Sequence, residues 1–410
     1  MTFNIGLSGL KAASQDLAVI SNNIANVNSI GFKGSRAEFA DIYNREIGGL
    51  GSSAGFLGKL GGGVRLAAVS QLFSQGNFEL TGRSLDFAIN GNGFFVVQDA
   101  STGENLYTRA GAFRVDREGF VENAFGQRLQ VYAVVDENIP TFNTGSTSDL
   151  QLPPEINAPS ATGTVNIAMN LDTTAPDLTG APPFSATDAT TYNNSTSFTA
   201  YDSLGEPHTV TLFFRKEGTN WETFMQIDGN DVGANNTLTF DSSGTLTAAM
   251  PFNWGTYTLT NGAADLNIDV DFTGTTYYGA SFAVNDLVQD GYPPGRLVSM
   301  EVSDQGIVQA RYSNGQATPL GQIALATFAN AQGLEQVGNT TWAATYASGD
   351  PLLGISGAGG VGVVEAGGLE QSNVDMAEEL VNLITAQRNF QANAQVISAN
   401  DTITQAILNI

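Results

Sequence analysis

The chain has 410 residues, 42% of them hydrophobic, which is material for more than one core. Its 16 Lys and Arg stand against 40 Asp and Glu, and a formal net charge of −24 excludes the basic footprint that nucleic acid or an anionic membrane surface requires. Cysteine is absent, which excludes disulfides and thiolate metal sites, and His208 is the sole histidine, which argues against a transition-metal centre.

The first element predicted is a helix from residue 3 to about residue 29. Phe3, Leu10, Leu17 and Ile24 stand seven residues apart, with Ala13, Ile20 and Val27 in the matching positions between them. Such a repeat makes a narrow apolar seam, and a narrow seam needs another helix. Gly31 is the expected stop. The start lacks a basic stretch followed by a continuous apolar run, so no cleavable signal peptide is read. Asn22, Asn23, Asn26 and Asn28 interrupt the uncharged residues 17–32, which do not read as a membrane span. The expectation is a chain that stays in the cytoplasm or leaves by a route without such a signal.

Residues 48–63 are glycine-rich and read as a flexible or irregular connector. Apolar residues then surround a tight turn at Asn90-Gly91-Asn92-Gly93, within a β-rich stretch over 87–97. From 150–154 to 290–295 the pattern is all-β. His208–Phe214 and Trp221–Ile227 predict a strand pair joined by a turn over 217–220, and Leu266, Ile268, Val270 and Phe272 alternate with polar residues. Between residues 145 and 285 the only Lys and Arg are Arg215 and Lys216, so this region is expected to be acidic and exposed. Further strands are predicted over 297–312 and 322–328, and a second glycine-rich connector over 354–368.

The last helix is predicted to start at a capping box, Ser372 to Asp375, with Glu378 and Glu379 favoured near its positive end. Met376, Leu383, Phe390 and Ile397 repeat the seven-residue spacing, with Leu380, Ala394 and Leu408 alongside. Both terminal helices are rich in Asn, Gln, Ser and Ala and poor in charge, which suits close packing against several neighbours. Two like-patterned ends point to an assembly subunit; an ordinary intramolecular hairpin is the alternative.

Chemical motifs are weak. Gly357–Gly362 satisfies G-x-G-x-x-G but lies in glycine-rich coil without the βαβ context of a dinucleotide site, and no Walker sequence is present. His208 reads as a polar residue at a strand end, with no G-x-S-x-G elbow to support a triad. Asp269 and Asp271 fall on the polar face of an alternating strand and read as solvated carboxylates rather than calcium ligands. No catalytic residue, metal site or cofactor is expected.

Several segments carry a resemblance. Gly6-Leu7-Ser8-Gly9-Leu10 and Ser21-Asn22-Asn23-Ile24-Ala25-Asn26-Val27-Asn28-Ser29-Ile30-Gly31-Phe32-Lys33 resemble the N-terminal signature of the bacterial flagellar axial proteins, the rod, hook and hook-filament junction subunits. Ser372-Asn373-Val374-Asp375, Glu379-Leu380-Val381 and Ala386-Gln387-Arg388-Asn389-Phe390 resemble the family's C-terminal end. Residues 81–95 and Tyr107-Thr108-Arg109-Ala110-Gly111-Ala112-Phe113 resemble its β-segments. The large β-insert, with Tyr201-Asp202-Ser203-Leu204-Gly205, fits the hook members best, as do residues 320–328 and Trp342-Ala343-Ala344-Thr345. The long glycine-rich stretch 48–63 departs from some of them.

The resemblance implies a structural, non-enzymatic subunit of a curved flexible tube, which couples the motor rod to the filament and transmits torque. The alternatives are another axial protein, of the distal rod or the hook-filament junction, or a secreted β-rich enzyme. Implied partners are further copies of the chain, the distal rod, the hook cap, the junction proteins and the flagellar export apparatus; nucleic acid and membrane insertion are not among them. The expected fold is mainly β with α-helical termini pairing as a coiled coil, and two β-domains, the outer inserted into the inner. The expected domains are 1–30 with 371–410 (helical coiled coil), 31–75 (irregular Gly-rich connector), 76–145 with 285–370 (inner β-domain plus C-terminal connector) and 146–284 (inserted acidic outer β-domain). Subunit packing is assigned to Phe3, Leu10, Leu17, Ile20, Ile24, Val27, Leu380, Leu383, Phe390 and Ile397, and the family motif to Asn22, Asn23, Ala25, Asn26, Gly31, Phe32 and Lys33. Both ends are expected to be disordered in the free monomer, since isolated helices of this kind are marginal in water.

Overall fold

The computed structural model describes residues 2–42, 62–136 and 141–408. Helix α1 (Thr2–Ala25) and helix α2 (Met376–Leu408) stand at the two ends and pack on each other. The described chain between them is strand, turn and coil apart from one short 3-10 turn at Ala331–Gly333. The fold is therefore mainly β with helical termini. The chain divides into two compact units, one of Met1–Pro153, Ser299–Ala310 and Ala317–Ile410, the other of Pro154–Val298 and Arg311–Gln316.

In the first unit the central strands lie in the spatial order Ala317–Ile323, Gln127–Asp136, Phe94–Asp99, Asn105–Thr108, Thr341–Ala343 and Glu335–Gly338. Phe94 to Val97 is a continuous apolar run, as a strand covered on both faces requires. Phe95 and Val97 enter a core with Phe87, Ile89, Leu129 and Val131, while Phe94 and Val96 enter a second core with Tyr107, Tyr132 and Trp342. The strand Phe87–Asn90 pairs with Val363–Ala366 instead of with Phe94–Asp99, so Asn90–Gly93 passes the chain from one sheet to another.

The second glycine-rich stretch is packed into the body and is not a flexible connector. Leu352–Gly354 pairs with Leu325–Thr327, Val363–Ala366 with Phe87–Asn90, and Gly368–Glu370 with Phe78–Leu80. Val361 and Val364 join the core, and a Cβ on Gly362 would lie 2.5 Å from the Asn90 carbonyl oxygen, so glycine serves close backbone approach there. The first stretch, 48–63, falls outside the described residues except for Gly62 and Gly63. Their backbones bond to Ile42 and extend the hairpin of β1 (Ser35–Asp41) and β2 (Val64–Gln71).

The second unit encloses one core between two sheets. Asn194–Tyr201, Pro207–Glu217, Asn220–Ile227 and Asn230–Leu238 form an antiparallel meander. Thr164–Asp172 anchors the other sheet, parallel to Leu266–Asp271 and Thr276–Tyr278 and antiparallel to Ala283–Gln289. The predicted strand pair is present, with Glu217 opposite Asn220, so the turn is only Gly218 and Thr219. Leu266, Ile268, Val270 and Phe272 are buried as their alternation predicts. Both local cations point inward: Lys216 Nζ donates to the Thr173 and Ala175 carbonyls, and Arg215 to those of Leu178 and Pro182. Apart from the Arg215–Glu217 pair at 2.9 Å, the surface carboxylates of region 145–285 make no ion pair with a Lys or Arg among the described residues.

Candidate functional site

The two terminal helices run antiparallel, with Gly6 against Ile397 and Asn23 against Glu379. A Cβ on Gly6 would lie 3.2 Å from Ile397 Cγ1, and one on Gly9 would overlap the Asn393 amide. The family-like Gly6-x-x-Gly9 spacing therefore lets the helices approach closely. Among the more buried residues of α2, Glu379, Leu383, Ala386, Phe390, Asn393, Ile397 and Asn400 alternate four and three apart, with Ala394 beside them.

Of the residues assigned to packing, Ile20 is buried, while Leu10, Leu17, Ile24, Leu383, Phe390 and Ile397 are half-buried. Phe3 and Leu380 are each 46% exposed. Val27 lies outside the helix, because α1 ends at Ala25 rather than near residue 29. From Asn26 the backbone changes from helix to turns: the Asn26 N–H is shared between the Asn22 and Asn23 carbonyls, and i to i−3 bonds from Val27, Ser29 and Phe32 carry the chain on. The sequence reading missed a second apolar stripe on α2, with Val381, Ile384, Val396 and Ile403 exposed beside Leu380. Its signal was present, as apolar residues falling between the heptad positions.

The α2 cap also differs from the predicted box. Asp375 Oδ1 accepts from the N–H groups of Ala377 and Glu378, so Asp375 is the N-cap, while Ser372 Oγ accepts only from Val374 N–H.

The motif after α1 ties the helices to the β body. Asn23 Nδ2 donates to Glu379 Oε1 on α2 and to the Ser35 carbonyl, and its Oδ1 accepts from Ser35 N–H, so one buried amide joins both helices to β1. Gly31 has φ +66°, faces the backbone of Arg109 and Ala110 where no Cβ fits, and donates its N–H to the Glu370 carbonyl. Phe32 is buried; Asn22 and Ala25 stay exposed.

Lys33 is 1% exposed and lies in a charged knot with Glu370 and Arg109. Lys33 Nζ donates to Glu370 Oε1 at 2.6 Å and to the Ser74 carbonyl at 2.7 Å. Arg109 donates to Glu370 Oε2 at 3.1 Å and to the carbonyls of Ile89 and Gly91. Gly76 N–H completes the Glu370 carboxylate at 2.9 Å. Two cations share one anion, and three carbonyl dipoles take up the excess positive charge. Burial pushes both Lys33 and Arg109 below their ordinary pKa, and Glu370 works against the shift. Asn373 adds a neutral strap, accepting from Gly34 N–H and donating to the Leu72 carbonyl. Glu370 had no sequence signal: it stands between Glu365 and Asp375, with nothing in its own segment to mark it as buried.

This arrangement is a mechanical anchor: bonds between segments far apart in the chain, without a nucleophile or a facing acid–base pair. His208 lies in the second unit, where carboxylates of Asp228 and Asp202 face its two ring nitrogens. Among the described residues no His, Asp and Glu group has the geometry of a metal site.

Family models match along most of the chain. They are the flagella basal body rod protein over residues 3–33, the flagellar hook protein FlgE/F/G D1 domain over 88–170, the flagellar basal body protein FlaE D2 domain over 170–292, and the flagellar basal body rod FlgEFG protein C-terminal over 365–410. The flagellar hook protein FlgE of Escherichia coli is 39% identical over 419 residues, covering 100% of both chains. The chain belongs to the flagellar hook protein family. The Salmonella typhimurium member is likewise 39% identical over 420 residues, and that of Borreliella burgdorferi is 32% identical over 440 residues, covering 99% of this chain and 98% of its own. A crystal structure of a Helicobacter pylori flagellar hook protein shares the fold, with a TM-score of 0.54 at 15% identity, over 70% of this chain and 99% of its own. Full-length similarity to hook proteins, insert included, decides against the rod and junction alternatives.

Proposed function

We propose that this hook axial subunit, which polymerises into the hook, places α1 and α2 as a coiled coil in the inner layer of a curved, flexible tube that joins the motor rod to the filament and transmits torque. The observation that carries this is the second apolar stripe of α2. Leu380, Val381, Ile384 and Ile403 are 46–63% exposed on a helix that already has a partner along its other face. Burying such side chains is worth about 25 cal/mol per Å² of apolar area, and neighbouring copies supply the surface. Phe3 on α1 adds to the same demand.

In this reading residues 1–30 and 371–410 form the helical layer, 31–75 connect it, 76–145 with 285–370 form the inner β-domain, and 146–284 form an acidic outer domain inserted into it. The net charge of −24 suits an outer surface with contacts that slide. The chain leaves the cell by the flagellar export apparatus without a cleaved signal, adds beneath a hook cap, and meets the distal rod at one end of the tube and the junction proteins at the other.

Electron microscopy of the polymer and of Ile384→Asp tests the central claim. Short curved tubes are expected from the parent chain, and dispersed, folded monomers from the variant. Tubes of normal yield from Ile384→Asp overturn the role of the stripe. Amide hydrogen exchange on the free monomer is expected to show weak protection of α1 and α2 beside strong protection of the β body. Strong protection of both helices before assembly overturns the view that they order in the polymer.

A further inference from the structure

We propose that His208 is a proton-operated latch in the second unit: as imidazolium it ties Asp228 to Asp202, and on losing its proton it frees the loop from Asp202 to Glu206. His208 sits at the start of the strand Pro207–Glu217 with its ring mostly buried, 11% of the side chain remaining exposed. Each ring nitrogen faces a carboxylate. Nδ1 lies 2.6 Å from Asp228 Oδ2, and Nε2 lies 3.5 Å from Asp202 Oδ2. A neutral imidazole has one N–H, so it can serve only one of them. With the proton on Nδ1, the Nε2 lone pair faces the lone pairs of a fully buried carboxylate, and Nε2 has no hydrogen-bond partner. The imidazolium carries an N–H at both nitrogens, so a positive charge faces each carboxylate and that repulsion is removed.

The elements around the ring contribute only negative charge. Asp228 comes from the turn after Asn220–Ile227, where it has φ +51° and also accepts from Thr209 N–H through Oδ1. Asp202 and Glu206 come from the loop after Asn194–Tyr201, and the amide of Asn261 donates to both of them. Burial lowers the His208 pKa, but the hydrogen bonds and charges of Asp228 and Asp202 together outweigh it and hold the value above the ordinary histidine value.

The loop is organised by Asp202. Its Oδ1 accepts from Leu204 N–H and Glu206 N–H, both at 2.8 Å. Gly205 packs so tightly on Pro159 and Pro294 that a Cβ there would lie 2.5 Å from Pro294 Cδ. Those prolines belong to the segments through which the chain enters and leaves the unit, so the latch braces its base. This gives the Tyr201–Gly205 motif, which the polymer role does not use, a task of its own.

A group whose folded pKa lies above its unfolded value adds stability that is complete below the unfolded value, and loses it as pH rises through the folded value. The test is NMR titration of the full-length monomer, in which the imidazole signals belong to one residue. The ring is expected to titrate above the ordinary histidine value, and Asp228→Asn is expected to lower that midpoint. Hydrogen exchange of the Leu204 and Glu206 amides, corrected for intrinsic rates, is expected to speed up through the same midpoint. In His208→Gln that pH-dependent step is expected to vanish. A ring that titrates at or below the ordinary value overturns the latch. So does an unchanged step in His208→Gln.

Discussion

At the scale of single residues, the Lys33–Glu370–Arg109 knot carries the sharpest energetic consequence. Removing one partner of a buried charge group leaves the others uncompensated, at about 3–5 kcal/mol. Glu370→Gln strands two cations and is expected to cost most. Lys33→Met leaves the Arg109–Glu370 pair balanced and is expected to cost clearly less. Hydrogen exchange at Gly31 and Gly76, whose N–H groups bond to Glu370, reads the effect locally in the full chain. Equal losses from both variants would show that charge balance is not what the knot provides. The energetic logic also says what the knot is for: a buried charge group tolerates little displacement, so it fixes the point where the helices leave the β body.

At the scale of elements, α1 and α2 depend on small residues where they touch. Gly9 faces the Asn393 side-chain amide, which any Cβ there would displace. Gly9→Leu is expected to force the helices apart, at about 1–3 kcal/mol for an overpacked contact. The β body would keep its protection, while polymer yield would fall steeply in sedimentation assays. Normal polymer from Gly9→Leu would place the tight contact outside the assembled state. The glycine matters through the space it leaves, since its neighbours along α1 are all regular helix.

At the scale of the whole molecule, two units with separate cores imply separable functions. Ser160 and Tyr292 bridge each other through backbone hydrogen bonds at the base of the second unit, so residues 161–291 can be excised and the ends closed by a short Gly-Ser linker. The shortened chain is expected to keep the first unit folded and to form tubes of altered curvature. Complete loss of tubes from a folded shortened chain would assign the second unit a role in assembly itself. The two lone cations of that region are buried within it, so the excision also strips the subunit of much of its surface charge.

The two terminal helices, the alternation at residues 266–272 and the strand pair across Gly218 and Thr219 were legible in the sequence, because hydrophobic period reports the type of an element and the face it covers. Tertiary structure decided the rest. It tied the turns after α1 to the β body at Gly31, whose N–H bonds to the Glu370 carbonyl, and it packed the glycine-rich stretch before α2 into that body. It also chose Glu370 as the partner of Lys33, 337 positions away. Period is a local property written along one segment. The partner of a buried charge, and the place where a backbone comes too close for a side chain, exist only once distant segments have met.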